Sequence, residues 1–116
     1  MITKSGIDSK NFEYKSSSEV AKDLADIYTA NVSTGLYVLE NANGMEVCIT
    51  NVGGRIVSCL VPDKNGNLKD VILGFDNLKS YIATEQDHSN FQGAIVGRYA
   101  NRIANGKFSL DGNTYN

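Results

Sequence analysis

The feature that most constrains the fold is a series of short segments with a two-residue hydrophobic period, which begins at Leu36. Such alternation is typical of half-buried β-strands, and the Asn-, Asp- and Gly-rich stretches between the segments are typical of turns. Pro62 stands at the end of one segment, where its missing N–H costs least. We therefore expect three or four antiparallel strands in a meander, followed by a hairpin, over residues 36–40, 45–50, 55–61, 68–73 and 107–115.

The beginning of the chain has a different pattern. Residues 5–18 are polar, and we interpret them as a poorly ordered or surface-wrapping arm. Ser16 and Glu19 then have the spacing of a capping box. Four apolar side chains follow on one helical face: Val20, Leu24, Ile27 and Tyr28. The pattern predicts a short amphipathic N-terminal helix over residues 19–28 that docks on its own domain.

A second short helix is predicted over residues 77–82, where apolar residues recur at helical spacing behind an Asp-Asn pair that can cap the first turn. The polar residues 83–90 that follow predict a loop. This loop holds the single histidine of the chain, His88. Because it stands in a polar stretch, we interpret His88 as a solvated loop residue rather than a catalytic group.

Composition argues against several function classes. The chain has 116 residues and a formal net charge of −2, which gives no reason to expect nucleic-acid or anionic-membrane binding. No apolar run approaches the ~20 residues of a membrane span. Residues 1–10 lack the apolar segment of a signal peptide, so we expect a cytoplasmic protein. Cys48 and Cys59 are expected to be buried free thiols, and with one histidine they predict no metal site.

The strongest candidate for chemistry is the stretch 97–106, which places Arg98, Asn101 and Arg102 between glycines. An amide both donates and accepts hydrogen bonds, and a guanidinium presents a fixed fork of donors. An Asn-Arg pair therefore suits a neutral polyhydroxylated ligand. A buried salt bridge or a loop clamp is the plainer interpretation, and these ten residues alone favour it.

Five ordered blocks of sequence carry a resemblance to a known family. They are NVGGRIVS at 51–58, VPDKNG at 61–66, DVILGFD at 70–76, GAIVGRYANRI at 93–103 and GKFSLDG at 106–112. In this order they resemble successive blocks of the aldose 1-epimerases, or galactose mutarotases. Val52 stands where the family usually has an aromatic residue, and residues 16–31 look like an insertion. Members of the family are substantially longer, so the resemblance covers only their N-terminal portion.

The resemblance implies a mainly β fold, the N-terminal part of an antiparallel β-sandwich of the galactose mutarotase-like supersandwich type, with an open sugar cleft on one face. Residues 35–116 would form this part, and residues 1–34 the polar N-terminal arm with its short helix. The implied substrate is an aldohexose such as galactose or glucose, whose α and β anomers the family interconverts without a cofactor. Asn101 and Arg102 match the family's sugar-contacting Asn-Arg pair.

The family's catalytic glutamate and histidine correspond to positions beyond residue 116, so the chain is expected to hold no catalytic residue and to be inactive alone. Arg55 and Arg98 are interpreted as structural, Arg98 through an ion pair with Asp70 or Asp76. Two alternatives stay open: a non-catalytic sugar-binding or interaction module of the same fold, and an epimerase of sugar 6-phosphates. Part of a sandwich also leaves a sheet face uncovered, through which we expect self-association.

Overall fold

The computed structural model describes residues 1–14, 33–86 and 91–116. Its centre is an antiparallel sheet of four strands, in which each strand pairs with the next along the chain. The strands are β1 Leu36–Glu40, β2 Glu46–Thr50, β3 Arg55–Pro62 and β4 Leu68–Asp70. The mainly β, antiparallel fold class and the meander are thus confirmed. The predicted helix over residues 19–28 and His88 lie outside the described residues.

The fourth strand is shorter than predicted, because it ends at Asp70 rather than at residue 73. The carboxylate of Asp70 accepts hydrogen bonds from the backbone N–H groups of Cys59, at 2.9 Å, and Ile72, at 3.0 Å. A side chain that takes up a backbone donor of the neighbouring strand replaces a ladder hydrogen bond and ends the regular pairing.

The two tight turns of the meander are built in the same way. Asn41 accepts two backbone N–H groups at 3.0 Å, and Asp63 accepts two at 2.8 and 2.9 Å. Gly44 and Gly66 follow with φ of 82° and 83°, a conformation that only glycine adopts without strain. Backbone N–H donors, above all that of Asn67, hold the pKa of Asp63 below its ordinary value. Asp63 thus stabilises the turn between β3 and β4, as expected for an Asp- and Gly-rich stretch between two strands.

A β-bulge decides which side chains of β3 face the core. Cys48 pairs with Ser58, but the next residue, Ile49, pairs with Ile56, so β3 holds one extra residue at this point. An extra residue reverses the side-chain alternation beyond it. As a result Arg55, rather than Ile56, is turned inward, and only 1% of Arg55 is exposed.

The core lies against one face of the sheet and is closed by segments distant in sequence. Its buried members are Ile7, Phe12, Cys48, Val52, Val57, Leu78, Tyr81 and Ile82. Residues 1–14 thus supply two core side chains, one of them from a 3-10 turn over Ser9–Phe12. The division of the chain at residue 34 stays a prediction.

A buried carboxylate fastens residues 1–14 to the sheet. Glu46 on β2 is only 2% exposed, and it accepts the backbone N–H groups of Lys4, at 3.1 Å, and Ser5, at 3.3 Å. The hydroxyl of Ser5 in turn lies 3.1 Å from that of Ser58 on β3. Burial of a carboxylate is costly unless hydrogen bonds stabilise it, so these donors account for its place in the sheet.

A helix, α1, covers Leu78–Gln86 and begins as predicted, because Asn77 accepts the backbone N–H of Ser80 at 2.9 Å. It extends four residues beyond the predicted end at 82, so the loop expected from residue 83 is wrong for 83–86. Tyr81 anchors α1: its hydroxyl accepts the backbone N–H of Phe75 at 3.0 Å, and the guanidinium carbon of Arg55 lies 5.1 Å from its ring centroid. Burial raises the pKa of Tyr81.

The last two strands, β5 Phe108–Leu110 and β6 Asn113–Tyr115, form a separate antiparallel hairpin, as predicted. The rings of Phe108 and Tyr115 stack across it with centroids 5.1 Å apart. All six strand residues are exposed in the part of the chain that the structure describes.

The face of the four-stranded sheet opposite the core is apolar as well. We call it the outer face; its members are Tyr37, Leu39, Val47, Ile49, Ile56, Cys59 and Val61, and the described residues leave each of them half-buried or exposed. A sheet with two apolar faces is typical of a sheet that lies between two layers. The described part of the chain contains no helix long and apolar enough to cross a membrane.

The two thiols are free, but only one is buried. Cys48 faces the core, whereas Cys59 pairs with Val47 on the outer face and is half-buried, so the expectation of two buried thiols is wrong for Cys59. Burial raises the pKa of the Cys48 thiol, which lowers its thiolate fraction and its reactivity.

Ellman's reagent should therefore titrate about one thiol in the native chain and both in denaturant. Cys59→Ser should abolish the native reaction; rapid reaction of both native thiols would contradict this assignment.

Candidate functional site

The Asn101–Arg102 pair lies in an irregular loop, residues 96–103, ahead of a 3-10 turn over Ala104–Gly106. Asn101 has a φ of 68°, in the left-handed region that asparagine tolerates better than most residues. Both side chains are exposed. The pair is therefore presented to solvent on a bent backbone, with amide and guanidinium donors available to a ligand.

The ion pair expected for Arg98 is not observed. Arg98 is exposed in the same loop, and neither it nor Arg102 forms an ion pair with any residue that the structure describes. Asp70, one of its two expected partners, instead accepts hydrogen bonds from the backbone N–H groups of Cys59 in β3 and Ile72 beyond β4. The alternative of a buried salt bridge in this stretch is thus wrong, because the arginines stand on a surface loop.

The loop is joined to the sheet at the segment before it. Ile56, near the start of β3, donates its backbone N–H to the carbonyl of Gly93 at 2.9 Å. Ile95 donates its backbone N–H to the carbonyl of Gly53, in the turn between β2 and β3, at 3.3 Å. These two hydrogen bonds place the chain beside the sheet just before it enters the exposed loop.

Arg55 belongs to the core rather than to this loop. Its buried guanidinium lies over Tyr81, an arrangement in which the positive charge meets the face of the ring. This position agrees with the structural role expected for Arg55.

The described residues do not form a metal centre. Within 1–14, 33–86 and 91–116, no group of three His, Cys, Asp or Glu side chains is placed to hold a metal ion. The most buried carboxylate, that of Glu46, is occupied by two backbone N–H groups and shielded from any substrate. The Asn101–Arg102 loop presents an amide and guanidiniums to solvent, which together supply hydrogen-bond donors and an acceptor.

Comparison with known proteins identifies the family. The family model described as aldose 1-epimerase matches residues 35–116, which is most of the chain. The chain belongs to the aldose 1-epimerase family. The matched range contains the whole four-stranded sheet, helix α1, the Asn101–Arg102 loop and the C-terminal hairpin.

Individual relatives agree with this assignment. A probable aldose 1-epimerase of Arthroderma benhamiae is 47% identical over 75 residues, which are 65% of this chain and 17% of that protein. A galactose mutarotase of Sus scrofa is 48% identical over 71 residues, 61% of this chain and 20% of the relative. An aldose 1-epimerase of Escherichia coli is 38% identical over 79 residues, with 68% and 22% covered. The chain thus spans about a fifth of the length of the curated relatives it matches.

Sequence reasoning missed two features of the structure. The first is the buried carboxylate of Glu46. The feature of the sequence that could have indicated its burial is its position in an alternating strand, on the same face as Cys48 and Thr50. The second is the backbone hydrogen bond between Gly93 and Ile56 of β3. The only local indication of this contact is that residue 93 is a glycine. The sugar-binding role of Asn101 and Arg102 stays a prediction.

Proposed function

We propose that this chain forms part of an aldose 1-epimerase that acts on aldohexoses such as galactose or glucose, and that Asn101 and Arg102 bind sugar hydroxyls. One observation carries the proposal: the Asn-Arg pair lies exposed on a bent loop within the range that the family model matches. A neutral amide and a guanidinium fork together supply donors and an acceptor at fixed angles, which suits adjacent hydroxyls of a pyranose.

The proposed reaction needs more than this pair. A base takes the proton of the anomeric hydroxyl while an acid gives a proton to the ring oxygen, so the C1–O5 bond breaks and an open-chain aldehyde forms. Rotation about the C1–C2 bond and reclosure, with both protons returned, give the other anomer. No cofactor takes part in this scheme. The acid and the base would lie in the region that corresponds to the part of the longer relatives that this chain does not span.

Polarimetry tests this proposal. Fresh α-D-galactose or α-D-glucose should mutarotate faster with the full-length gene product than in buffer, and a rate equal to that of buffer would refute it. The 116-residue chain alone should give no acceleration, because a positioned acid and base contribute roughly 10²–10⁴-fold in such reactions. Clear activity of this chain would show that the catalytic groups lie within it.

Two other functions of the same loop give different results in the same assay. A non-catalytic sugar-binding module would bind galactose in an NMR titration without accelerating mutarotation. A sugar 6-phosphate epimerase would prefer glucose 6-phosphate to glucose. The observation that favours it is that Arg98 is exposed in the same loop as Arg102 and forms no ion pair with any residue that the structure describes. A preference for the neutral sugar would exclude the phosphate as substrate.

The remaining expectations concern self-association, metabolic role and cellular location. Self-association is supported by the outer face, since a large exposed apolar surface is costly in water. A place in hexose metabolism and a cytoplasmic location remain predictions from the sequence and the family.

A further inference from the structure

Two short segments form a close backbone contact next to the Asn101–Arg102 loop. We call it the clamp; it consists of residues 93–95 against residues 53–56. Its two hydrogen bonds, from Ile56 to Gly93 and from Ile95 to Gly53, measure 2.9 and 3.3 Å. The clamp ends six residues before Asn101, so it is the point from which the exposed loop departs.

Only glycine fits at position 93. Its φ is 71°, and a Cβ atom built there would lie 2.3 Å from the carbonyl oxygen of Ile56 and 3.3 Å from the carbonyl carbon. Since both are backbone atoms, no rotamer change can relieve the contact. A side chain at position 93 would therefore push residues 93–95 away from β3.

The opposite side of the clamp is packed less tightly, and a Cβ atom there would make ordinary van der Waals contacts with residues 94 and 95. A Cβ atom on Gly54 would lie 3.4 Å from Cδ1 of Ile95, and one on Gly53 would lie 3.9 Å from Cβ of Ala94. Both glycines have positive φ, 70° for Gly53 and 58° for Gly54. The turn between β2 and β3 thus offers a surface without side chains, on which residues 94 and 95 rest.

Beyond the clamp the loop has little support among the described residues. Val96 and Tyr99 are exposed, as are Asn101 and Arg102. The next backbone hydrogen bond along the chain is from Gly106 to Ile103, at 3.0 Å, and it is internal to the following 3-10 turn. The clamp therefore sets the position of the loop relative to the sheet.

We propose that Gly93 is a positioning residue for the sugar-binding pair: by allowing the clamp to close, it fixes where Asn101 and Arg102 stand. The inference rests on the proposed function. Hydroxyl contacts exist in both the bound sugar and the transition state, so their misplacement weakens binding uniformly. It raises KM and leaves kcat nearly unchanged.

The test compares Gly93→Ala with Gly66→Ala. Gly66 has an equally unfavourable φ of 83°, but a Cβ atom there meets nothing within 4 Å, so this control carries the backbone strain without the contact. In the full-length product, Gly93→Ala should raise KM for galactose at least about threefold with kcat within about twofold. Gly66→Ala should change neither. A fall in kcat with unchanged KM would overturn the inference.

NMR of the 116-residue chain separates this inference from the proposed function. Gly93→Ala should lower the hydrogen-exchange protection of the Ile56 amide and shift the Asn101 and Arg102 resonances, whether or not sugar binds. Ile95→Ala is the second variant: Ile95 is 69% exposed, so its truncation loosens the clamp without endangering the fold. Unchanged loop resonances in both variants would refute the positioning role. If the loop resonances shift in the variants but the wild-type protein binds no galactose, the result would support the clamp and count against the proposed function.

Discussion

Truncation of Phe12 to alanine is expected to cost about 3–5 kcal/mol of the free energy of unfolding. The ring is fully buried, at 0% exposure, and lies 6.3 Å from that of Tyr81. The backbone carbonyl of Phe12 accepts a hydrogen bond from the hydroxyl of Thr34 at 2.8 Å, so the backbone at this point is held as well. A loss of this size is a large part of the roughly 5–15 kcal/mol that stabilises a typical domain.

Urea denaturation of the purified chain measures this effect, through the shift of the midpoint at constant slope. Phe91→Ala is the matched control, because it removes the same side chain from a position that is 65% exposed. It should cost less than about 0.5 kcal/mol. A loss for Phe12→Ala as small as that of the control would show that the Phe12 ring does not stabilise the core.

The elements that the sequence predicts well are those decided by neighbouring residues. The strands follow from a two-residue period, and their turns from Asn41 and Asp63, whose side chains bond backbone N–H groups two and four residues ahead. The start of α1 at Asn77 is likewise a local hydrogen bond. Such features require no knowledge of distant contacts.

The orientation of the strands could not be predicted in the same way. The alternation in β2 predicts one buried face, but it does not show that this face holds Glu46, Cys48 and Thr50 rather than Val47 and Ile49. Polar side chains can take the inner face because residues 4 and 5 bring backbone donors to Glu46. The bulge that turns Arg55 inward is also a property of strand pairing. The sequence of β3 alone does not show which of its residues is left without a partner in β2.

The candidate site shows the same division. The residues of the stretch 97–106 alone favour a buried salt bridge or a loop clamp, but exposure depends on where the loop lies, and the structure places it outside the core. Resemblance to the family selects Asn101 and Arg102 from this loop, whereas the clamp at Gly93 depends on a backbone contact with a residue 37 positions earlier, Ile56.

Replacement of Arg102 with alanine should raise KM for galactose by about 10–100-fold in the full-length product. This range corresponds to the roughly 1.5–3 kcal/mol of a hydrogen bond that involves a charged group. Polarimetry at several galactose concentrations gives KM and kcat separately. The side chain is exposed, so its removal should leave the free energy of unfolding within about 0.5 kcal/mol of the wild-type value.

Arg98→Ala is the control that distinguishes a hydrogen-bonding role from a general effect of charge. Arg98 is exposed in the same loop and carries the same charge, but it lies outside the Asn-Arg pair. Its loss should change KM less than about twofold, since a neutral sugar gains little from a distant positive charge. Arg102→Lys keeps the charge without the planar fork, so it should behave more like Arg102→Ala than like the wild type. If Arg98→Ala and Arg102→Ala raise KM equally, or if Arg102→Lys restores the wild-type KM, the loop acts through its charge, and a phosphorylated sugar becomes the better substrate to test.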